Sequence, residues 1–393
     1  MDSNLRHFLA SQRAAGGGFW RVGWPLLLLA LAIAVPLLVW VGWTAIFNSS
    51  DGTNVSQELD RSQPGFQAFV EPTPTLLLIH GDPERLHSLA FLALTDAGTE
   101  GAVLLIAPET ITATGSLRTV WVQSGSDGVA SAMVELLGTI PGEVQVVDDA
   151  GWAALVAATV PVRVHNPDPL IAANGEVAFS SGMTLLSSAD VGLYLQWRNS
   201  QESPLAAMFR QATFWEAWLA QVSVALGSEP GDALVIPGEV DRGIGRFVPT
   251  LALGQSRVLA LPGALDANGA ISLDAQAVTD LIREVVPFQI ATANTSAPRV
   301  RLLNGSGDLS RADAAVRILS RAEVDITVVG NAGQFGWPTT RIGYHDVAYA
   351  AAAESLRAAL GVGTVVAEEA TELEIDITVV LGNDFVSSVA TQG

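Results

Sequence analysis

Arginines, carboxylates and a few histidines hold whatever chemistry this chain of 393 residues can do. There is no cysteine, which excludes disulfides, thiolate nucleophiles and thiolate metal sites. Every one of the 20 basic residues is arginine. A planar guanidinium offers paired N–H donors that match phosphate oxygens two at a time, so grouped arginines point to oxyanion binding. Arg198 has Glu202 four residues on and is either half of a surface ion pair or part of an anion site. Arg210 lies in an aromatic-rich run, where it stacks on Phe214, pairs with a buried acid or serves an anion. Asp82-Pro83 is either a turn start or the source of a metal ligand. His80 and His87 invite a metal reading but have no third ligand near them in sequence. Asn304-Gly-Ser-Gly307 has the exposed amides of a phosphate loop without its lysine, and reads as a tight turn. Glu368, Glu369, Glu372, Glu374 and Asp376 lack the spacing of an EF-hand and read as a solvated acidic edge.

These residues must be positioned by something, and the first organising feature is a membrane signal. No charge occurs between Arg21 and Asp51, and Trp24–Phe47 is almost wholly apolar. A helix needs roughly 20 apolar residues to cross a bilayer, so 24–47 is expected to span one. A cleaved signal peptide would have a shorter apolar region and a small-residue cleavage site. Arg6, Arg13 and Arg21 precede the segment and Asp51, Glu58 and Asp60 follow it, which puts the N-terminus in the cytoplasm and the rest outside. The net charge is −20. Without the tail's three arginines and one aspartate, 17 basic residues face 39 acidic ones, a balance of −22. Such a surface repels phosphate backbones, and nucleic acid is excluded as a partner.

The remainder reads as α/β (α+β) in two layered parts. Residues 1–23 form a cytoplasmic tail, 24–47 the membrane helix and 48–74 a polar linker. Residues 75–290 form the first domain, 291–298 a second linker and 299–386 a small α/β sandwich. In the first domain Thr75–Ile79, Ala102–Ile106, Val144–Val147 and Val162–Val164 are short apolar runs expected as strands. Helices are expected over Gly128–Leu137, Ala150–Ala158 and Leu205–Leu226, the last with Phe209, Phe214, Trp215 and Trp218 in the core. After Arg299 the order is β-α-β-β-α-β-β, through Val300–Leu303, Leu309–Arg321, Val324–Val329, Thr340–Tyr344, Val347–Leu360, Thr364–Ala367 and Ile375–Leu381.

The end of the chain carries a resemblance. Val300-Arg-Leu-Leu-Asn-Gly-Ser-Gly307, an alanine-rich helix, Ile-Thr-Val-Val329, Thr-Thr-Arg-Ile-Gly-Tyr344 and Ile-Asp-Ile-Thr-Val-Val-Leu-Gly-Asn-Asp384 resemble the LytR C-terminal domain. That module often follows the LytR-CpsA-Psr domain in actinobacterial envelope proteins. The region 75–288 resembles a LytR-CpsA-Psr domain that has lost much of its signature. Leu77-Leu-Ile-His-Gly-Asp-Pro-Glu-Arg85 is similar to its first strand and Asp-x-Arg loop, and Ile106-Ala-Pro-Glu-Thr110 falls on its Ile-Pro-Arg-Asp. Leu193-Tyr-Leu-Gln-Trp-Arg198 falls on its Arg-x-Arg strand, Phe209-Arg-Gln211 on its Arg-Gln helix and Leu261-Pro-Gly-Ala264 on its last strand.

The resemblance implies a phosphotransferase moving glycopolymer from a polyprenyl-pyrophosphate carrier to peptidoglycan, with arginines on the pyrophosphate, carboxylates on Mg²⁺ and an apolar tunnel for the lipid. Carried over residue by residue, it makes Arg85, Arg198, Arg210 and Gln211 pyrophosphate ligands and Asp82 a metal ligand. The pattern is broken at the other positions. Ser88 stands for a second metal-binding aspartate, Glu109 for an arginine, Thr110 for an aspartate and Gln196 for the first arginine of Arg-x-Arg. Ala206 or Ala207 stands for the arginine ahead of Arg210. Three lost arginines forfeit roughly 4–9 kcal/mol of pyrophosphate binding at about 1.5–3 kcal/mol per charged hydrogen bond. The expectation is a membrane-anchored, extracytoplasmic, non-catalytic binding or scaffolding member of the LytR-CpsA-Psr family without a cofactor. Its expected partners are the lipid bilayer and a cell-wall polymer, polyprenyl carrier or envelope protein. The alternative is an active, Mg²⁺-dependent phosphotransferase.

The orientation is testable in a chain free of cysteine. Cysteine placed at Ser56 or Ser131 is expected to react with a membrane-impermeant thiol reagent on intact cells, and cysteine at Ser11 is not. Labelling of the Ser11 variant alone reverses the topology.

Overall fold

The computed structural model describes residue 60 and residues 62–96, 99–227, 236–237, 242–290, 297–369 and 375–385. The expected tail 1–23 and membrane helix 24–47, residues 48–59 and 61 of the first linker, residues 291–296 of the second, Glu372 and Glu374 lie outside the described residues. From Pro64 onward the chain forms one compact unit.

Its first layered part is built on five strands, β2 (Thr75–Gly81), β3 (Leu86–Asp96), β4 (Glu100–Ile106), β5 (Glu143–Val147) and β8 (Gln255–Ala260), in the order β8-β4-β3-β2-β5. The pairs β2/β3 and β3/β4 are antiparallel, and β4/β8 and β2/β5 are parallel. All of β2 is buried, because helices cover both faces and alternate side chains enter opposite layers. Leu77, Ile79, Phe91 and Leu104 meet helices α1 (Leu117–Leu137) and α6 (Ala275–Val285). Leu76, Leu78, Leu92 and Leu105 meet α2 (Asp149–Val156), α3 (Ser188–Gln196), α4 (Pro204–Gly227) and α5 (Gly243–Leu253). An antiparallel pair, β6 (Val162–Asn166) with β7 (Gly182–Leu186), packs beside α4.

Helix α1 begins eleven residues before the expected Gly128. The Ser116 hydroxyl caps it by accepting from the Thr119 amide at 3.2 Å. It bends at Gly125, whose φ of 63° and ψ of −152° suit only glycine. Of the run Leu193–Arg198, expected as a strand, Leu193–Gln196 belong to helix α3. A capping box between Ser187 and Asp190 starts that helix, and buried Val191, Tyr194 and Leu195 have helical spacing. The chain turns extended only at Trp197. The last strand of the sheet is Gln255–Ala260, not Leu261–Ala264; Gly263–Leu265 pairs only with Ile271–Leu273.

Within α4 the aromatic expectation holds for three residues of four. Phe214, Trp215 and Trp218 are buried, and Phe209 is exposed to 66%. Trp152 of α2 meets these three edge-on at 5.7–5.8 Å between ring centroids, and Phe214 stacks on Trp218. Between this aromatic cluster and the sheet lies a cavity of about 10 Å³, lined by His80, Ser88, Trp152 and Trp215 among others. That is room for about one water molecule.

The second part is a six-stranded sheet of β1 (Gln67–Phe69), β9 (Arg299–Asn304), β10 (Asp325–Asn331), β11 (Arg341–Tyr344), β12 (Thr364–Ala367) and β13 (Ile377–Leu381). The order is β1-β10-β9-β13-β11-β12. Helices α7 (Leu309–Leu319) and α8 (Ala350–Leu360) bury Ala315, Leu319, Ala353 and Leu356 with Val300, Leu302, Ile342 and Val379. The two-layer sandwich follows the element order read from sequence. The span 48–74, however, is not linker throughout. Gln67–Phe69 pairs antiparallel with β10, and three residues are too few to leave a periodic signal.

The aromatic cluster sets the cost of disturbing the first part. Trp152 is 1% exposed and its indole nitrogen has no partner among the described residues, so its contribution is packing. Trp152→Ala is expected to lower stability by about 3–5 kcal/mol in denaturant unfolding followed by circular dichroism.

Candidate anion site

Three arginines meet at the carboxyl end of β4 and the start of α1. Pro108-Glu109-Thr110 turns directly after β4, and the first turn of α1 grips it: the Arg118 amide donates to Pro108 O at 2.8 Å and the Leu117 amide to Thr110 O at 2.9 Å. This places Arg118 opposite Arg198, which follows α3. Arg85 comes from the β2–β3 turn. Arg85, Arg118, Arg198, His87, Gln196 and Gln211 line one cavity of about 290 Å³. Arg118 was missed in the sequence, since nothing around Ser116-Leu-Arg118 marks it; its role arises only when Glu109 folds against it.

The carboxylate of Glu109 sits between two of these guanidiniums. Arg118 donates to one oxygen at 2.6 Å and Arg198 to the other at 3.1 Å. Glu109 is 19% exposed, so both ion pairs are partly sheltered. Arg198 therefore does not pair with Glu202. Arg85 makes no ion pair among the described residues. With three guanidiniums and one carboxylate the site keeps positive charge, but its two best donors are already engaged.

Arg210 is not in the cavity. It is 1% exposed, and its guanidinium donates to Glu202, at 3.0 Å to the nearer oxygen, and to the carbonyls of Tyr194 and Trp197. It lies 5.3 Å from the centroid of the Tyr194 ring, rather than on Phe214. Burial pushes the Tyr194 phenol up to about 12, against the opposing pull of Arg210. Gln211 lines the cavity wall but spends an amide N–H on Leu195 O at 2.9 Å. Gln196, which replaces an arginine of the resembled pattern, donates to Asp149 at 2.8 Å.

Asp82 starts a turn. One carboxylate oxygen accepts from the amides of Glu84 and Arg85 at 2.7 and 2.8 Å, and the other meets His87 Nε2 at 3.0 Å. Slight desolvation raises its pKa, and these two amides and His87 more than offset that, so the carboxyl titrates below its ordinary range. The donor set does not fit Mg²⁺, a cation that asks for free carboxylate oxygens in octahedral array. Asp82 has both oxygens engaged, Ser88 is buried in place of a second carboxylate, and Thr110 is 1% exposed. Among the described residues no group of three or more histidines and carboxylates could hold a metal ion.

His80 and His87 lie 5.0 Å apart between ring centroids, each on its own carboxylate. His80 Nε2 meets Asp149 at 3.0 Å, and its Nδ1 faces the Ser88 hydroxyl at 3.5 Å. The β-turn of Asn304–Gly307 is closed by the Asn304 side chain, which accepts from the Ser306 and Gly307 amides. Glu368 pairs with Arg341 and Asp376 with Arg299.

Residues 297–385 match the family model described as LytR cell envelope-related transcriptional attenuator, so this segment is similar to that family's domain. Among solved structures the chain is similar to TagV of B. subtilis, with 14% identity and a TM-score of 0.43 over 55% of this chain and 96% of that one. It is similar to TagT of B. subtilis, with 17% identity and a TM-score of 0.43 over 59% and 94%. The Lin1025 protein from Listeria innocua is 16% identical, with a TM-score of 0.38 over 54% and 97%. No curated protein matches the chain.

The buried histidine gives the site a pH signature. Burial pushes His80 down to about 4 against the pull of Asp149, and His87 adds to the lowering. Between about pH 4 and its ordinary 6.5, the unfolded chain binds a proton that the folded chain refuses, so stability rises with pH across that window. Measured by denaturant unfolding, the wild-type chain is expected to lose about 2 kcal/mol more than His80→Gln between pH 7 and pH 5. Equal losses remove His80 as the cause.

Proposed function

We propose that this chain is a membrane-anchored, extracytoplasmic envelope protein that binds and does not turn over. In this reading it is a non-catalytic relative of the LytR-CpsA-Psr proteins, serving cell-wall glycopolymer assembly as a binding or scaffolding partner. One observation carries the proposal: the Glu109 carboxylate bridges Arg118 and Arg198. A carboxylate there stands where the resembled family places an arginine, and it competes with any incoming phosphate for the same donors. The engaged oxygens of Asp82, the structural role of Arg210 and the aromatic filling between α4 and the sheet support the same reading. The bilayer is engaged through residues 24–47 with the N-terminus inside, and no cofactor is needed.

One observation favours the active phosphotransferase instead, namely that Arg85, Arg118 and Arg198 still line one cavity. Titration of the soluble chain (about residues 50–393) with inorganic pyrophosphate and a short polyprenyl pyrophosphate separates the two. Weak, salt-sensitive binding and no Mg²⁺-dependent phosphate release are expected. Glu109→Gln is expected to tighten pyrophosphate binding roughly ten- to a hundredfold at low salt by freeing two partly exposed guanidiniums. Mg²⁺-dependent release by the unaltered protein, or a polyprenyl pyrophosphate carried through its purification, favours the active enzyme.

A further inference from the structure

The segment ahead of β2 is fastened mainly by its backbone, and of its side chains Val70 alone packs against the core of the second part. Gln67, Ala68 and Phe69 lie opposite Gly330, Val329 and Val328 of β10. The Gly65 amide donates to Ala332 O at 2.9 Å, the Asn331 amide to Phe66 O at 2.7 Å and the Val70 amide to Thr327 O at 3.0 Å. Yet Gln67 is exposed and Phe69 is 83% exposed. What holds the strand is the backbone ladder, the half-buried Val70 side chain and a close approach at Gly330, where a Cβ would collide with the Phe66 carbonyl oxygen. The same segment then reaches the first layered part. The Thr73 amide donates to Phe288 O at 2.8 Å, the Phe288 amide to the Thr73 hydroxyl at 3.1 Å and the Leu94 amide to Pro74 O at 3.0 Å. Pro72, which has no amide N–H to give, lies between the two sets of bonds.

We propose that residues 65–70 are a releasable latch on the outer edge of β10. A short edge strand with few buried side chains opens at far lower free energy than the core behind it. Opening unties one of the links between the two layered parts and uncovers a row of backbone donors and acceptors. That edge fits an extended polypeptide strand, added by main-chain pairing with little demand on its side chains except at Gly330. The latch is independent of the arginine pocket and of whether that pocket binds anions.

Native-state hydrogen exchange on residues 50–393 tests the opening. The amides of Gly65, Val70 and Asn331 are expected to exchange as one group, roughly a hundredfold faster than those of Leu302 and Val379 and with little dependence on denaturant. Ala68→Cys with Val329→Cys, oxidised in a chain that has no other cysteine, is expected to slow that group alone. Val70→Pro removes a ladder donor and is expected to free the edge. The variant should then bind a fluorescent peptide of residues 64–71, and Val70→Pro with Gly330→Val should not. Exchange of the three amides only through global unfolding overturns the latch, and so does a Val70→Pro variant that leaves Asn331 protected. Failure of that open variant to take the peptide overturns the strand-accepting edge.

Discussion

A buried guanidinium holds the first layered part in register. Arg210 is withdrawn from water, so its donors must all be matched, and an unmatched charge there would cost several kcal/mol. Glu202 supplies the countercharge, and the carbonyls of Tyr194 and Trp197 accept most of the rest. Those carbonyls lie in the last turn of α3 and just after it, so one side chain of α4 fixes where α3 stops. Arg198 follows immediately and inherits its direction from that anchor. The aromatic face of α4, one turn further on, then has only one way to meet Trp152 and the sheet.

The arginine pocket is thus placed by residues that are not part of its open donor set. Arg210 and Gln211 match a phosphate-binding pattern in sequence, yet both are spent on the backbone of α3. Arg198 remains outside and meets Glu109. The reversal of charge at position 109 is more than a missing ligand. A missing arginine leaves a weaker site, whereas a carboxylate of the right reach turns the remaining arginines toward itself.

Much of this was legible from sequence, and the exceptions have physical reasons. The strands β2 and β4 read directly because both faces are covered, giving uninterrupted apolar runs, and β5 and β9 read from shorter runs broken by Gln145 and Arg301. Helix α3 was hidden by a motif resemblance that outweighed Ser187, Asp190 and the helical spacing of Val191, Tyr194 and Leu195. Helix α6 went unread, although Asp274, which accepts from the Ala277 amide at 3.0 Å, marks its start and Val278, Ile282 and Val285 form a stripe. Helix α5 was harder, since it contains Pro249 and two glycines. Arg118 and the Asp149 partner of His80 could not be read, because both pairings join residues set side by side only by the fold. Where a pairing depended on neighbours in sequence, as in the Asn304 loop, the local reading found it, and at Asp82 the turn was one of two readings left open.

The edge position of β1 also bears on how the chain comes together. The six-stranded sheet takes one strand from residues 67–69 and the other five from residues beyond 298. Topologically, the entire first part is an insertion between β1 and β9, which β10 separates in the sheet. A chain made from its N-terminus must therefore keep β1 waiting until β10 exists, and closing that interval has an entropic cost that grows only with the logarithm of its length. The intervening part can complete its own core in the meantime, and by folding it brings Thr73 and Phe288 together, shortening the gap. The last strand partner to arrive is then a local one, and the order of synthesis and the order of folding need not coincide.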